Sequence, residues 1–182
     1  MEGLPEVLSS EEVYAGRLVR VARDTVREGD TTYVREVVGH PGGAAVVPVY
    51  ADGSVAFVSQ YRHPARRYVL ELPAGKLDPG ERPAETAARE LEEELGVVAG
   101  RLEHLSEFYT TPGFCAERLW VFLATDLRET ALRREEDEII EVVRMPLSRA
   151  LGMVASGEVD DAKTIIGLLL AARRLGVEQS DG

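Results

Sequence analysis

GKLDPGERPAETAARELEEELGV, residues 75–97, opens on a loop rich in glycine and proline, runs through a helix-forming stretch and closes on Gly96. Proline at the opening (Pro83) and glycine just past the end are the expected asymmetry of helix caps, so a helix is predicted over 83–95. At 3.6 residues per turn, Glu90, Glu93 and Glu94 stand at i, i+3 and i+4 and share one face. Ala84, Ala88, Leu91 and Leu95 form an apolar stripe on roughly the opposite side, which is expected to anchor the helix and turn the acidic face away from the core. Like charges on adjacent turns cost about a few tenths of a kcal/mol per pair. A hard divalent cation reverses that sign. Oxygen-only ligands suit Mg²⁺, with Mn²⁺ as a substitute, and the lack of nearby histidine or cysteine argues against zinc.

Outward from this segment the chain reads as strands followed by helices. Runs 17–26 and 31–38 flank a turn at Glu28-Gly29-Asp30, and 44–50 and 55–61 flank a second at Ala51-Asp52-Gly53-Ser54. Short strands are expected at 68–72, 102–109, 119–125 and 140–145, and further helices at 147–155 and 162–175. The order is not a regular βαβ alternation, so an α+β fold with a mixed sheet packed between helices is favoured. Gly39-His40-Pro41-Gly42-Gly43 punctuates the chain, which sets residues 1–40 apart as a small antiparallel sheet and leaves 41–182 as the main domain.

Composition limits what this chain can do. At 182 residues and 45% hydrophobic content it can bury one good core. A net charge of −11 argues against a nucleic-acid partner, because phosphate backbones need a basic surface. A small anionic substrate needs local arginines or a bridging cation instead. With Cys115 as the sole cysteine, no internal disulfide forms and a reducing cytoplasmic compartment fits. No apolar stretch reaches the roughly 18 residues of a membrane span, and residues 1–9 do not resemble a signal peptide, so no membrane partner is expected.

A Glu-rich run by itself is ordinarily a solvated helix face. Here Gly75, Glu81, Arg89, Glu90, Glu93, Glu94 and Gly96, with apolar Leu91 and Val97, agree at every position with the pattern of the Nudix box, and the chain resembles the Nudix hydrolases. The resemblance implies an α/β/α sandwich on which the box forms loop, helix and loop. It implies cation ligands at Glu90, Glu93 and Glu94, with Glu90 and Glu94 the most direct, and at the backbone carbonyl of Ala74. Arg89 is better read as a partner that holds Glu92 or Glu93. Glu81 is either an indirect ligand through water or a clamp for the loop. Gly75 and Gly96 serve backbone geometry.

Outside the box, Gln60-Tyr61-Arg62-His63-Pro64, Glu71-Leu72-Pro73-Ala74-Gly75 and Pro112, sixteen residues beyond Gly96, resemble the ADP-ribose pyrophosphatases. The segment Thr111-Pro112-Gly113-Phe114, with Glu117, is similar to that subfamily's substrate loop. The resemblance spans residues 60–163 and implies hydrolysis of ADP-ribose to AMP and ribose 5-phosphate. Arg62 is a candidate diphosphate or ribose contact, since guanidinium forks onto phosphate oxygens; a surface arginine is its bland role. Glu71 is either a ribose contact or a buried strand carboxylate that stabilises the loop, and Gly113 and Glu117 complete the substrate set. His63 has no visible partner. The resemblance further implies a loop glutamate as general base: Glu138 first, then Glu136, with the box residue Glu93 as a further catalytic candidate. It also implies a homodimer built through the first 40 residues, where Tyr33 is one aromatic able to stack on a base. Competing readings are another nucleotide sugar or a dinucleoside polyphosphate as substrate, or a non-catalytic ADP-ribose-binding regulator.

Overall fold

The computed structural model describes residues 3–131 and 139–177, which fall into two compact units. One comprises Met1–Gly42 with Tyr109–Arg118, and the other Gly43–Phe108 with Leu119–Gly182. The candidate base residues Glu136 and Glu138 lie outside the described residues. Among the described residues no helix is long and apolar enough to cross a membrane.

The first unit carries a three-stranded antiparallel sheet in the order β1 (Glu6–Ala15), β2 (Arg20–Glu28), β3 (Thr31–Gly39). The β2–β3 hairpin turns where the sequence predicts, with Gly29 at φ 58°, a left-handed conformation that glycine adopts without steric cost. Strand β1 was not legible. Its register against β2 shifts between Val7 and Ser9 and again between Glu12 and Tyr14. Each irregularity resets the two-residue alternation on which strand recognition depends. Every residue of β1 is also exposed, so burial left no pattern in its sequence.

In the second unit β4 (Gly43–Pro48) lies inside the sheet β7-β4-β9-β8, parallel to β9 (Arg118–Glu129) and antiparallel to β7 (Ala74–Lys76); β8 (Val97–Tyr109) forms the other edge. A second, antiparallel sheet runs β10-β5-β6, from Ile140–Pro146, Ser54–Arg62 and Arg67–Glu71. Helices α1 (Pro83–Glu90), α2 (Leu147–Ser156) and α3 (Ala162–Leu175) complete it. Strand β4 is buried on both faces, and its side chains alternate between two cores. Ala45 and Val47 join Phe57, Leu72, Val121, Leu147 and Leu168 on the α2–α3 side. Ala44 and Val46 join Ala87, Leu91, Val97 and Phe122 on the α1 side. Helices therefore cover both faces of a mixed sheet, which is the expected α/β/α sandwich within an α+β fold.

Two expectations about the box helix are corrected. The α-helix ends at Glu90 and continues through Leu91–Leu95 as a wider π turn, closed by Gly96 at φ 65°. Its buried face is only in part the predicted stripe: Leu91 is buried and Leu95 packs against the core, but Ala84 and Ala88 are exposed, and Thr86, Ala87, Glu90 and Glu94 are buried instead. Glu90 and Glu94 thus face inward, where the Ala74–Gly75 strand edge meets them, while Glu93 stays partly exposed.

Gly167 on α3 marks the closest approach of helix to sheet. A Cβ there would stand 2.5 Å from Leu72 Cδ1 and 3.1 Å from Val47 Cγ2, both in fully buried residues. Gly167→Val is expected to destabilise the fold by about 1–3 kcal/mol through overpacking. Urea denaturation checks this, and unchanged stability would show that α3 sits more loosely on β4 than described.

Candidate active site

The loop before α1 is organised by Glu81. Its carboxylate accepts from the Asp78 backbone N–H at 3.1 Å, the Thr86 hydroxyl at 2.8 Å and Arg89 Nε at 3.1 Å. The Arg89 guanidinium then reaches along its own helix: Nη1 donates to Glu90 Oε1 at 2.6 Å and to Glu93 Oε2 at 2.8 Å. One cation thus ties three carboxylates. The i, i+4 contact to Glu93 is the one its spacing predicts. Hydrogen bonding from Arg89 is the main cause that holds the Glu81 carboxyl down at about 2, and the same pairing raises the Arg89 guanidinium above its ordinary range.

Glu90 and Glu94 pack against the strand edge that begins at Ala74. Glu94 Oε2 accepts from the Ala74 backbone N–H at 3.2 Å. Gly75 has a steric reason to be glycine: a Cβ there would stand 1.9 Å from Glu90 Oε1 and 3.0 Å from Oε2. The expected role in backbone geometry holds for Gly96, whose φ is positive, whereas Gly75 leaves room for a carboxylate. The four residues expected to hold a cation, Ala74, Glu90, Glu93 and Glu94, are therefore neighbours. Among the described residues, no three acidic, histidine or cysteine side chains already stand in a ligand array. The donor set nevertheless fits a hard divalent cation, since it is all oxygen and since Glu90 and Glu93 already converge on a single cationic nitrogen.

Arg62 and Glu71 also come together, though chiefly with each other. Arg62 donates from Nε to Glu71 Oε1 and from Nη2 to Oε2, both at 2.7 Å, a bidentate fork. Glu71 is 2% exposed and additionally accepts from Lys163 Nζ. Burial pushes the Glu71 carboxyl up, but Arg62 and Lys163 outweigh it and the net displacement is downward. The Arg62 guanidinium is raised, mainly by its hydrogen bonds to Glu71 and with lesser contributions from Glu94 and Asp161. These residues line an open cleft of about 330 Å³ with Arg67, Asp160 and Asp161. Tyr61 packs edge-on against His63, with ring centroids 6.2 Å apart.

In the other unit, Glu117 accepts from the Thr110 hydroxyl at 2.8 Å and lies 3.4 Å from His40 Nδ1. Gly113 belongs to the turn in which the Phe114 N–H donates to the Thr111 carbonyl. Sequence reasoning missed Lys163 and the capping of α3, where Asp161 accepts from the Thr164 N–H and hydroxyl. Two signals were present. Asp161 stands where an N-cap precedes an apolar run, and Lys163 is one of only two lysines, with Lys76, in an arginine-dominated chain.

A mixed sheet between helices, with this box lying along its edge, is the framework of a hydrolase that acts on pyrophosphate bonds. The NUDIX domain model matches residues 39–166, and the chain belongs to the Nudix family. It is 42% identical over 168 residues to a Bacillus subtilis protein named ADP-ribose pyrophosphatase, covering 90% of this chain and 91% of that one. It is 36% identical over 166 residues to the methanol dehydrogenase activator of Bacillus methanolicus, covering 90% of each. Among solved structures, one described as an ADP compounds hydrolase superposes with a TM-score of 0.84 at 25% identity, over 96% of this chain and 97% of that one.

The Glu81 clamp has a pH signature. Its folded value of about 2 lies below the ordinary 4.5, so its contribution is fully present above about 4.5 and is lost as pH falls toward 2. The difference in Tm between wild type and Glu81→Gln is expected to be greatest above pH 4.5 and to shrink below it. A difference that stays constant down to pH 2 would contradict the clamp.

Proposed function

We propose that this protein is a Mg²⁺-dependent ADP-ribose pyrophosphatase, which hydrolyses ADP-ribose to AMP and ribose 5-phosphate. The observation that carries this reading is the complete box, with Glu90 and Glu94 packed on the Ala74–Gly75 edge, in a chain 42% identical to a protein named for that activity. Mg²⁺, or Mn²⁺ in its place, would be held by the Ala74 carbonyl with Glu90, Glu93 and Glu94, and would neutralise diphosphate charge and acidify water. Arg62 presents its guanidinium to the diphosphate and Glu71 holds it there; in the other unit, Gly113 and Glu117 are separate candidates for substrate contact. Glu138 accepts the proton of the attacking water as its oxygen bonds to one phosphorus. The bridging P–O bond breaks in line, and its electron pair leaves with the departing phosphate. Glu136 is the second candidate for the base.

The working form is a homodimer joined through the sheet of residues 1–40, and the compartment is the cytoplasm. Support for the dimer comes from Val7, Leu8, Val13 and Tyr14, which are 44–57% exposed on β1. The name of the Bacillus methanolicus relative raises a second reading, a regulator that acts through an enzyme partner. A complete set of box carboxylates favours turnover.

A panel of ADP-ribose, GDP-mannose, diadenosine polyphosphates and 8-oxo-dGTP, assayed with Mg²⁺, is expected to show ADP-ribose turned over fastest and all activity abolished by excess chelator. Undiminished turnover in chelator would remove the cation from the mechanism, and inert ADP-ribose beside an active panel member would move the substrate assignment. Glu138→Gln is expected to lower single-turnover cleavage by about 10²–10⁴-fold with little change in substrate binding, and Glu136→Gln much less. The reverse ranking would transfer the role to Glu136. Wild-type cleavage in both variants and in the double variant would eliminate both residues as the base.

A further inference from the structure

We propose that Lys163 is a positioning residue for substrate recognition, acting on the Arg62 guanidinium through the buried carboxylate of Glu71. The inference rests on the reading of Arg62 as the diphosphate contact.

Both oxygens of Glu71 are committed. Oε1 accepts from Arg62 Nε at 2.7 Å, and Oε2 accepts from Arg62 Nη2 at 2.7 Å and from Lys163 Nζ. The two cations differ in exposure, with the Arg62 side chain 42% exposed and that of Lys163 only 13%. Arg62 can therefore meet a ligand from the cleft they both line, whereas the Lys163 side chain is mostly buried against the carboxylate. A fork of this kind fixes the guanidinium plane, provided that the carboxylate itself does not rotate. Lys163 supplies that restraint. Its own placement is rigid, because it sits in the first turn of α3, lies 3.1 Å from Asp161 Oδ1, and is followed by the fully buried Thr164. The Thr164 hydroxyl accepts from the Leu72 backbone N–H at 2.9 Å, so α3 grips β6 and its exit at two successive residues, Glu71 and Leu72.

Charge points the same way. Glu71 is nearly excluded from water, and a buried carboxylate left with one partner draws that partner inward to compensate. With Lys163 present, the negative charge is shared, and Arg62 keeps its exposed side for the ligand. Without it, Arg62 becomes the sole counter-charge and is expected to move away from the diphosphate.

The test uses the full-length protein with Mg²⁺. Kinetics are measured with ADP-ribose, and binding is measured by calorimetry with an α,β-methylene analogue that is not cleaved. Lys163→Met is expected to raise KM and the analogue Kd by about tenfold while kcat stays within about threefold. Lys163→Gln, which keeps a hydrogen-bond donor without the charge and preserves packing if the Met variant folds poorly, is expected to fall between. Lys163→Arg is expected to restore most of the affinity. In an Arg62→Ala background, Lys163→Met is expected to add little, because the two act on one contact. A lower Tm with wild-type KM and Kd in the Met and Gln variants would make Lys163 a purely structural residue. Fully additive losses with Arg62→Ala would show that it does not act through Arg62. If wild type itself neither binds nor cleaves ADP-ribose, the substrate reading falls instead, and the same variants decide the positioning role on whichever panel nucleotide is turned over.

Discussion

Carboxylate repulsion is the constraint around which the rest of this structure is arranged. Glu90, Glu93 and Glu94 crowd one side of a short helix, and two of them are almost fully buried. Such a group is unfavourable unless each charge finds a partner. Arg89 answers for Glu81, Glu90 and Glu93 together, and the Ala74 N–H answers for one oxygen of Glu94. On the proposed reading, the same grouping that burdens folding would prepare the surface for a divalent cation, because oxygens gathered at a cost by the protein need not be gathered again on binding.

Around that group, the fold supplies rigidity on two sides. Ala87 and Leu91 bury the helix against Ala44, Val46 and Phe122, which fixes where the carboxylates stand. On the other face of the sheet, α3 holds the β6 exit through Lys163 and Thr164. The short stretch Glu71-Leu72-Pro73-Ala74-Gly75 thus links the two polar groups: Glu71 meets Arg62 and Lys163, while Gly75 makes room for Glu90. A displacement of this stretch would disturb the candidate phosphate contact and the candidate cation ligands at once.

The sandwich and most of its strands were legible because strands buried on both faces read as continuous apolar runs between turn signals, and capped helices announce their ends. Strand β1 was not, since its bulges break the alternation and its exposure leaves no apolar face to detect. The box residues were legible as a pattern, but their orientation was not. Helical periodicity identifies which side chains share a face, and only the strand edge at Ala74 and Gly75 shows that Glu90 and Glu94 turn inward. Arg62 and Glu71 were each legible as candidates, but their pairing, nine positions apart, depends on the register of β5 against β6, and the part of Lys163 depends on a contact 92 positions away that spacing along the chain does not reveal.

Under the proposed function, Gly75 leaves the room that the Glu90 carboxylate needs to serve as a cation ligand. Titration of Mn²⁺ into the protein, followed by electron paramagnetic resonance of the free ion, tests it without reference to any substrate. Wild type is expected to bind Mn²⁺ saturably, and Gly75→Ala, whose Cβ displaces Glu90, to weaken that binding by roughly 10–100-fold while the circular dichroism spectrum is retained. Equal Mn²⁺ affinity in the folded Gly75→Ala variant would contradict the account.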